Sequence, residues 1–285
     1  MKCYLCANES HSPVDGTVRD NPSIKILRCN QCGLVFLSSH DHVKEEFYQD
    51  NLMERSVSDI DSTLIDASDY ADTSRRFKEH ALAMAGKRVL DFGCGRGSFL
   101  SRLKRERITD RLSALELNKK YHRPLSGDFV LFKSLDEFGP EKFDFITMFH
   151  VMEHLSDPLD VLNKLYDALS VGGRLIIEVP SADDALLSLY DCEEFKRFTY
   201  WSCHLFLFQK DTLELLLKKT PFKITCIKQI QRYSLANHLH WLSKGKPGGH
   251  VAWQFLDDEM LNKNYADALA STGQTDTIVA VVEKA

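Results

Sequence analysis

The chain has 285 residues, 44% of them hydrophobic and 27% charged, an ordinary globular balance with apolar material for a sizeable core. Its 36 Lys plus Arg against 41 Asp plus Glu give a formal charge of −5, which excludes a general nucleic-acid binder with a basic footprint, though not a local basic patch. No apolar run approaches the roughly 20 residues that span a bilayer, so no membrane insertion is expected.

The start, Met1-Lys2-Cys3-Tyr4-Leu5-Cys6, lacks the apolar stretch of a secretory signal, and a cytoplasmic protein with reduced thiols is expected. Four of the eight cysteines stand as Cys3-x-x-Cys6 and Cys29-x-x-Cys32. Two residues between cysteines let a tight turn aim both sulfurs at one point, and two such turns supply the four thiolates that structural zinc prefers. The spacing matches a zinc ribbon, a small β module over residues 1–40, with Gly33 in the second turn and Leu34–Leu37 as the strand leaving it. Buried free thiols or a redox pair are the alternatives. A closed set of four sulfurs makes the metal structural. Cys94, Cys192, Cys203 and Cys226 lack metal spacing and read as small hydrophobes.

Residues 41–84 read as a helical linker or cap. Acidic residues recur at Asp59, Asp61, Asp66, Asp69 and Asp72, with apolar positions at Phe47, Tyr48, Leu52, Leu64, Ile65 and Tyr70. One or two helices with a mobile connection are expected there.

Lys87 to Leu100 then reads as a strand, a glycine turn and a helix start. Gly93, Gly95 and Gly97 let backbone approach a ligand where side chains would clash, with helix N-terminal amides beside it. The spacing departs from the dinucleotide fingerprint at Ser98, and Asp91 stands two places before the first glycine. A carboxylate there adds nothing for pyrophosphate but suits a cationic sulfonium nucleoside with an amino-acid tail.

Asp91-x-Gly93-x-Gly95-x-Gly97 resembles the first motif of class I S-adenosylmethionine-dependent methyltransferases, and further blocks follow at that family's spacing. Leu112 to Leu117 looks like the second strand, with Glu116 as the ribose-binding carboxylate and Leu117 beside it. Phe143 to Pro158 looks like the fourth strand and its His-Val-x-Glu-His-Leu-x-Asp-Pro loop. In the family, His150 and Glu153 organise that loop beside the cofactor's methionine end, and His154 makes a structural hydrogen bond. Leu165–Leu169 with Gly172-Gly173 reads as a helix and its glycine stop, Arg174–Pro180 as the fifth strand, Lys223–Gln229 as the sixth and Thr277–Val282 as the last. The resemblance covers residues 85–285 and implies a doubly wound Rossmann-like α/β sheet whose last strand is antiparallel. It also implies S-adenosyl-L-methionine as cofactor, held by Asp91, Gly93, Gly95, Gly97, Glu116, Leu117, His150 and Glu153.

The ribbon and this domain together resemble bacterial methyltransferases of cell-surface glycan and antibiotic-sugar pathways. Sugar C-methyltransferases of that type carry a further C-terminal domain and a Tyr-x-Glu-His phrase; here the phrase is Trp201-Ser202-Cys203-His204, and 285 residues leave no room for the extra domain. Methyl transfer to a hydroxyl needs a base, for which His204, and secondarily His150, are the candidates. Residues 232–250 hold Arg, Lys, three His, Asn, Tyr and Trp without an acid, and read as a cationic acceptor surface through Arg232, Tyr233, Asn237, His238, His240, Lys244 and Lys246. A solvated loop is the alternative. His238-x-His240 has no carboxylate or cysteine near it to complete a metal set.

The expected reaction moves methyl to an oxygen of a saccharide or a phosphorylated or nucleotide-linked saccharide precursor, as in capsule or O-antigen polysaccharide biosynthesis. Two other expectations are N- or C-methylation of an antibiotic deoxysugar or small metabolite, and ribbon-recruited methylation of RNA or protein. Against the last, residues 1–40 hold four basic and three acidic residues, too balanced for a strong phosphate tract. The acceptor's identity and the oligomeric state are left open by the sequence.

Overall fold

The computed structural model describes residues 1–43, 45–49 and 62–285, and among these residues two sheets organise the chain. Leu52, Asp59 and Asp61 of the expected cap lie outside the described residues, as do the side chains of Leu64 and Ile65.

The larger sheet has seven strands, β4 (Val89–Phe92), β5 (Leu112–Leu115), β6 (Val130–Phe132), β7 (Phe143–Phe149), β8 (Leu169–Pro180), β10 (Lys223–Ile230) and β11 (Thr277–Glu283), in the order β10-β11-β8-β7-β4-β5-β6. β4 pairs in parallel with β5 and β7, β5 with β6, and β7 with β8. β11 runs antiparallel to both neighbours, as expected for the last strand. Every residue of β4 is buried, as a central parallel strand covered on both faces requires. Its carboxyl end and those of β5, β7 and β8 lead into the loops where ligands of such sheets bind.

Helices over Glu45–Gln49 (α1) and Ser62–His80 (α2) precede the sheet; α3 (Ser98–Arg105), α4 (Lys119–Asp128) and α5 (Pro158–Ala168) connect its strands. α5 starts where the chain dictates: Asp157 caps the Asp160 N–H at 3.2 Å, and Pro158 occupies a first-turn position that needs no donor. Two boundaries differ from expectation. β5 stops at Leu115, before Glu116, and α5 ends at Ala168, ahead of the glycines. Leu169 is already extended and pairs with Phe143, so Gly172 (φ +75°) and Gly173 shape an irregular start of β8. A Cβ on Gly173 would stand 2.8 Å from the Ser170 carbonyl oxygen.

The smaller sheet runs β1 (His11–Pro13), β2 (Ile26–Cys29), β3 (Val35–Leu37) and β9 (Phe206–Leu207), all antiparallel. Its fourth strand therefore comes from the chain that follows β8. The join is extensive. Leu5, Ile26, Leu34 and Phe36 belong to the same buried apolar cluster as Ile146, Leu165 and Ile177 of the larger sheet's layer. Tyr4 donates its hydroxyl proton to Asp157 and accepts the Leu159 N–H at 2.9 Å, docking the ribbon on the start of α5.

Candidate active site

A cavity of about 620 Å³ opens above the carboxyl ends of β4, β5, β7 and β8, within the usual range for small-molecule sites. Gly93, Gly95 and Gly97 all take positive φ, of 71°, 54° and 74°. A Cβ on Gly93 would lie 2.5 Å from Val151, whereas one on Gly95 would meet no atom within 4 Å. The first glycine is thus required by protein packing, and the second leaves backbone bare toward the cavity. Glu116 lines the cavity beside Leu117, its carboxylate accepting the Gly95 N–H at 2.7 Å and the Asn118 N–H at 2.8 Å. Burial raises its pKa.

Asp91 sits beneath the loop. It accepts the Thr147 hydroxyl at 2.7 Å and lines a smaller cavity of about 60 Å³ with Asp69, Arg76 and Ser98, not the large one. Burial pushes its pKa up to about 6, although the Thr147 bond works the other way. Gly97 is likewise absent from the large cavity's wall; a Cβ there would strike Leu125 at 2.7 Å.

His150, with φ +55°, begins the loop after β7 and lines the cavity. Its Nδ1 lies 3.5 Å from Glu153 and its Nε2 3.1 Å from Glu178, both fully buried carboxylates. Burial and Arg232 oppose a charged ring, but the two carboxylates outweigh them and raise its pKa. Glu178 also accepts from Arg75 at 2.8 Å and Arg76 at 2.6 Å, so α2 is clamped to the end of β8. Arg76, which lines the cavity and stacks over Phe149 at 4.3 Å, carries no motif and was missed by sequence reasoning. His154 also reaches the wall, and its Nδ1 donates to the Cys203 carbonyl at 2.9 Å, the structural bond expected of it.

His204 does not line the cavity. Burial, then its neighbour His154, lowers its pKa to about 3, so it is not placed to take a proton from an acceptor there. Asp184 is. It follows β8, lines the cavity and is 6% exposed, and it caps the short helix α6 (Ala185–Ser188) by accepting the Leu186 N–H at 2.8 Å. Burial, then nearby Asp276, pushes its carboxyl up to about 7.

The acid-free run of residues 232–250 folds as α9 (Leu235–Lys244) and a glycine turn into the short α10 (Gly249–Ala252). Tyr233, Asn237 and His238 line the cavity, but Arg232, His240, Lys244 and Lys246 do not. The expected cationic surface does not form on this wall: acids from elsewhere in the chain neutralise Arg232, and His240 and the two lysines point away from the cavity. Arg232 pairs with Asp72 at 2.7 Å and Asp276 at 3.5 Å. His240 donates to the Lys246 carbonyl at 2.8 Å, and both lysines are exposed. His238 is bonded to Tyr265 at 2.7 Å and Gln231 at 3.1 Å, and burial lowers its pKa to about 4. Asn237 accepts the N–H groups of Gly248 and Gly249, and a Cβ on Gly249 would fall 2.0 Å from the Ala236 oxygen. The glycine turn is a closure onto α9. What the wall presents instead is aromatic: Trp241 packs its ring against Phe195 and Phe198 of α7 (Glu193–Thr199), at centroid distances of 5.2 and 5.0 Å, and all three face the cavity.

In the ribbon, the sulfurs of Cys3, Cys6, Cys29 and Cys32 lie within 4.8 Å of one another, with Cys3–Cys32 at 3.5 Å and Cys6–Cys29 at 3.4 Å. Burial opposes the Cys29 thiolate, but the N–H groups of Cys32 and Gln31 bring its pKa down to about 7.

A methyltransferase-domain family model matches residues 66–227. Among curated proteins, the ubiquinone biosynthesis O-methyltransferases of Pseudomonas entomophila and Pseudomonas putida are 30% and 34% identical over 108 and 107 residues. Each match covers 34% of this chain and 46% of the relative, so the matched segment is less than half of those proteins. Among solved structures, a SAM dependent methyltransferase from Archaeoglobus fulgidus superimposes with a TM-score of 0.51 at 22% identity, over 76% of this chain and 94% of its own. A chain from the Haloferax volcanii complex of a methyltransferase activator with a methyltransferase gives 0.51 at 16% identity, over 77% and 95%. With the glycine loop and the antiparallel last strand in place, the chain belongs to the methyltransferase-domain family and has the class I α/β methyltransferase fold.

Proposed function

We propose that the chain methylates a hydroxyl oxygen of a saccharide acceptor whose apolar ring face stacks on Phe195, Phe198 and Trp241. The residues fit the cofactor: Gly95 leaves open space where a side chain would stand, and Glu116 lies on the same wall. Gly93, Gly95, Glu116 and Leu117 would hold the nucleoside and Arg76 and the His150–Glu153 loop the methionine end, with Asp91 and Gly97 supporting the loop from behind. When bound, S-adenosylmethionine supplies an electrophilic methyl carbon. The chain's part is to hold the acceptor in line, exclude water and take the hydroxyl proton.

The observation that carries this reading is Asp184, a carboxyl on the cavity wall with a pKa near neutrality, beside an aromatic surface. Such a group accepts a proton at neutral pH. Arg76 and Arg96, which also line the cavity, are already paired with Glu178 and Asp66 at 2.6 and 2.7 Å. The same aromatic wall, together with the O-methyltransferase names of the curated relatives, favours a phenolic ring as second reading. Radiolabelled methyl transfer to unphosphorylated sugars, deoxysugars, nucleotide sugars, sugar phosphates and catechols tests the choice. Label on a sugar supports the first reading, and label on catechols alone replaces it with the second.

We further infer a structural zinc in the ribbon. Tetrahedral zinc with sulfur bonds of about 2.3 Å has ligand separations of about 3.8 Å, close to the observed sulfur spacings. Residues 1–40 are then the ribbon, 41–84 the cap and 85–285 the catalytic domain. No helix among the described residues is long and apolar enough to cross a membrane, in keeping with action on an acceptor in the cytoplasm.

A further inference from the structure

We propose that His154, Cys203 and His204 form a second metal site, separate from the ribbon, for zinc or a similar divalent transition metal. This goes beyond the methyl-transfer reading and does not rest on it. One ligand atom from each residue, the two ring nitrogens and the Cys203 sulfur, lies within 4.8 Å of the others. The residues come from two places in the chain: His154 from the turn after β7, Cys203 and His204 from the turn into β9. The Leu205 N–H, which donates to the Glu153 carbonyl at 2.8 Å, holds those turns together.

The orientation of His154 is that of a ligand. Its Nδ1–H donates to the Cys203 carbonyl, which fixes the tautomer and leaves the Nε2 lone pair available. Metal-bound imidazoles are held in this way, by a hydrogen bond from the other ring nitrogen. The two imidazole rings are 5.0 Å apart at their centroids and inclined by 62°.

The charge beside the cluster also favours a cation, since Glu153 is only in part offset by His150. Glu153 is 1% exposed, and neither carboxylate oxygen has a well-directed hydrogen bond among the described residues. Its nearest partners are His150 Nδ1 at 3.5 Å and His154 Nε2 at 4.0 Å. A buried carboxylate costs several kcal/mol unless compensated, and a divalent ion beside His154 compensates it.

Two imidazole nitrogens and one sulfur favour a borderline-soft ion over magnesium or calcium, which take oxygen ligands. On binding, a metal–sulfur bond replaces the Cys203 S–H bond, and the proton leaves to solvent. Three protein ligands leave a fourth position for water, and of the three residues His154 lines the cavity.

The test is metal content of the full-length protein after zinc loading and removal of excess metal, in the parent, Cys203→Ser and His204→Gln. Loss of about one equivalent per chain in either variant, with the ribbon's equivalent retained, is expected. A count unchanged in both overturns the site. Should the variants fail to fold, anomalous diffraction at the zinc edge from crystals of the parent decides the matter. A peak bonded to the Cys203 sulfur supports the proposal; anomalous signal confined to the four ribbon cysteines overturns it.

Discussion

The two ends of the cavity are built in different ways. The cofactor end is mostly backbone: the left-handed glycines Gly93 and Gly95 and a carboxylate that grips loop amides, contributed by residues 93–118. The acceptor end is side chain, assembled from Asp184 after β8, Phe195 and Phe198 of α7, and Tyr233 and Trp241 around α9. A backbone site tolerates little change because each atom is fixed by a conformation. An aromatic wall distributes its energy over many contacts and changes selectivity before it fails.

The largest expected effect separates two adjacent glycines. Gly95→Val projects into open cavity space and should lower S-adenosylmethionine affinity by about 100-fold in calorimetry. Its left-handed strain, about 1–2 kcal/mol, should move the melting temperature by only a few degrees. Gly93→Val collides with Val151 and should lose the fold along with binding. Equal loss of fold in both would erase the distinction between packing glycine and ligand glycine.

Asp184→Asn should lower turnover by about 100-fold while leaving cofactor affinity unchanged, and should abolish an ascending limb of the pH–rate profile near pH 7. Stability gives a second reading of the same group. Its folded pKa, about 7, stands above the ordinary aspartate value of 3.8, so the unfolded chain loses this proton first as pH rises. The stability present below about pH 4 is therefore lost between pH 4 and 7. Asp184→Asn should melt higher than the parent at pH 8 and alike at pH 4. Parent and variant melting identically at both would show that the carboxyl is ionised and solvated.

Trp241→Ala should raise the acceptor KM by about tenfold with cofactor affinity retained. Lys244→Ala and Lys246→Ala should change activity by less than about twofold, since both are exposed and off the wall. A large loss in either would restore the cationic acceptor surface.

The glycine loop was legible in the sequence because its parts are local: Asp91 to Gly97 is one strand end and turn, and Glu116 follows the next strand, although Asp91 and Gly97 stand behind the cavity wall. The cysteine cluster was legible for the same reason, as two short pairs. The acceptor end was not. Trp241 meets Phe195 across 46 positions, the difference of their numbers, and no spacing rule connects them. Arg232 looked like a free cation within an acid-free run, yet Asp72, 160 residues earlier, pairs with it. Charge counted along the chain says nothing of charges that arrive by folding. Asp184 was passed over because one aspartate after a strand has no pattern; only its burial and Asp276 make it unusual.

Leu205 bonds in two directions: its carbonyl accepts the Leu37 N–H at 3.1 Å, and its N–H reaches Glu153 at 2.8 Å. A single residue thus stitches the smaller sheet to the loop that borders the cavity. Ordering of either side restrains the other, and by linkage the free energy by which the closed N-terminal module tightens cofactor binding equals the free energy by which bound cofactor stabilises that module. On the zinc reading proposed above, Cys32→Ser should weaken S-adenosylmethionine binding, and saturating cofactor should protect Cys6 and Cys32 of the parent from alkylation.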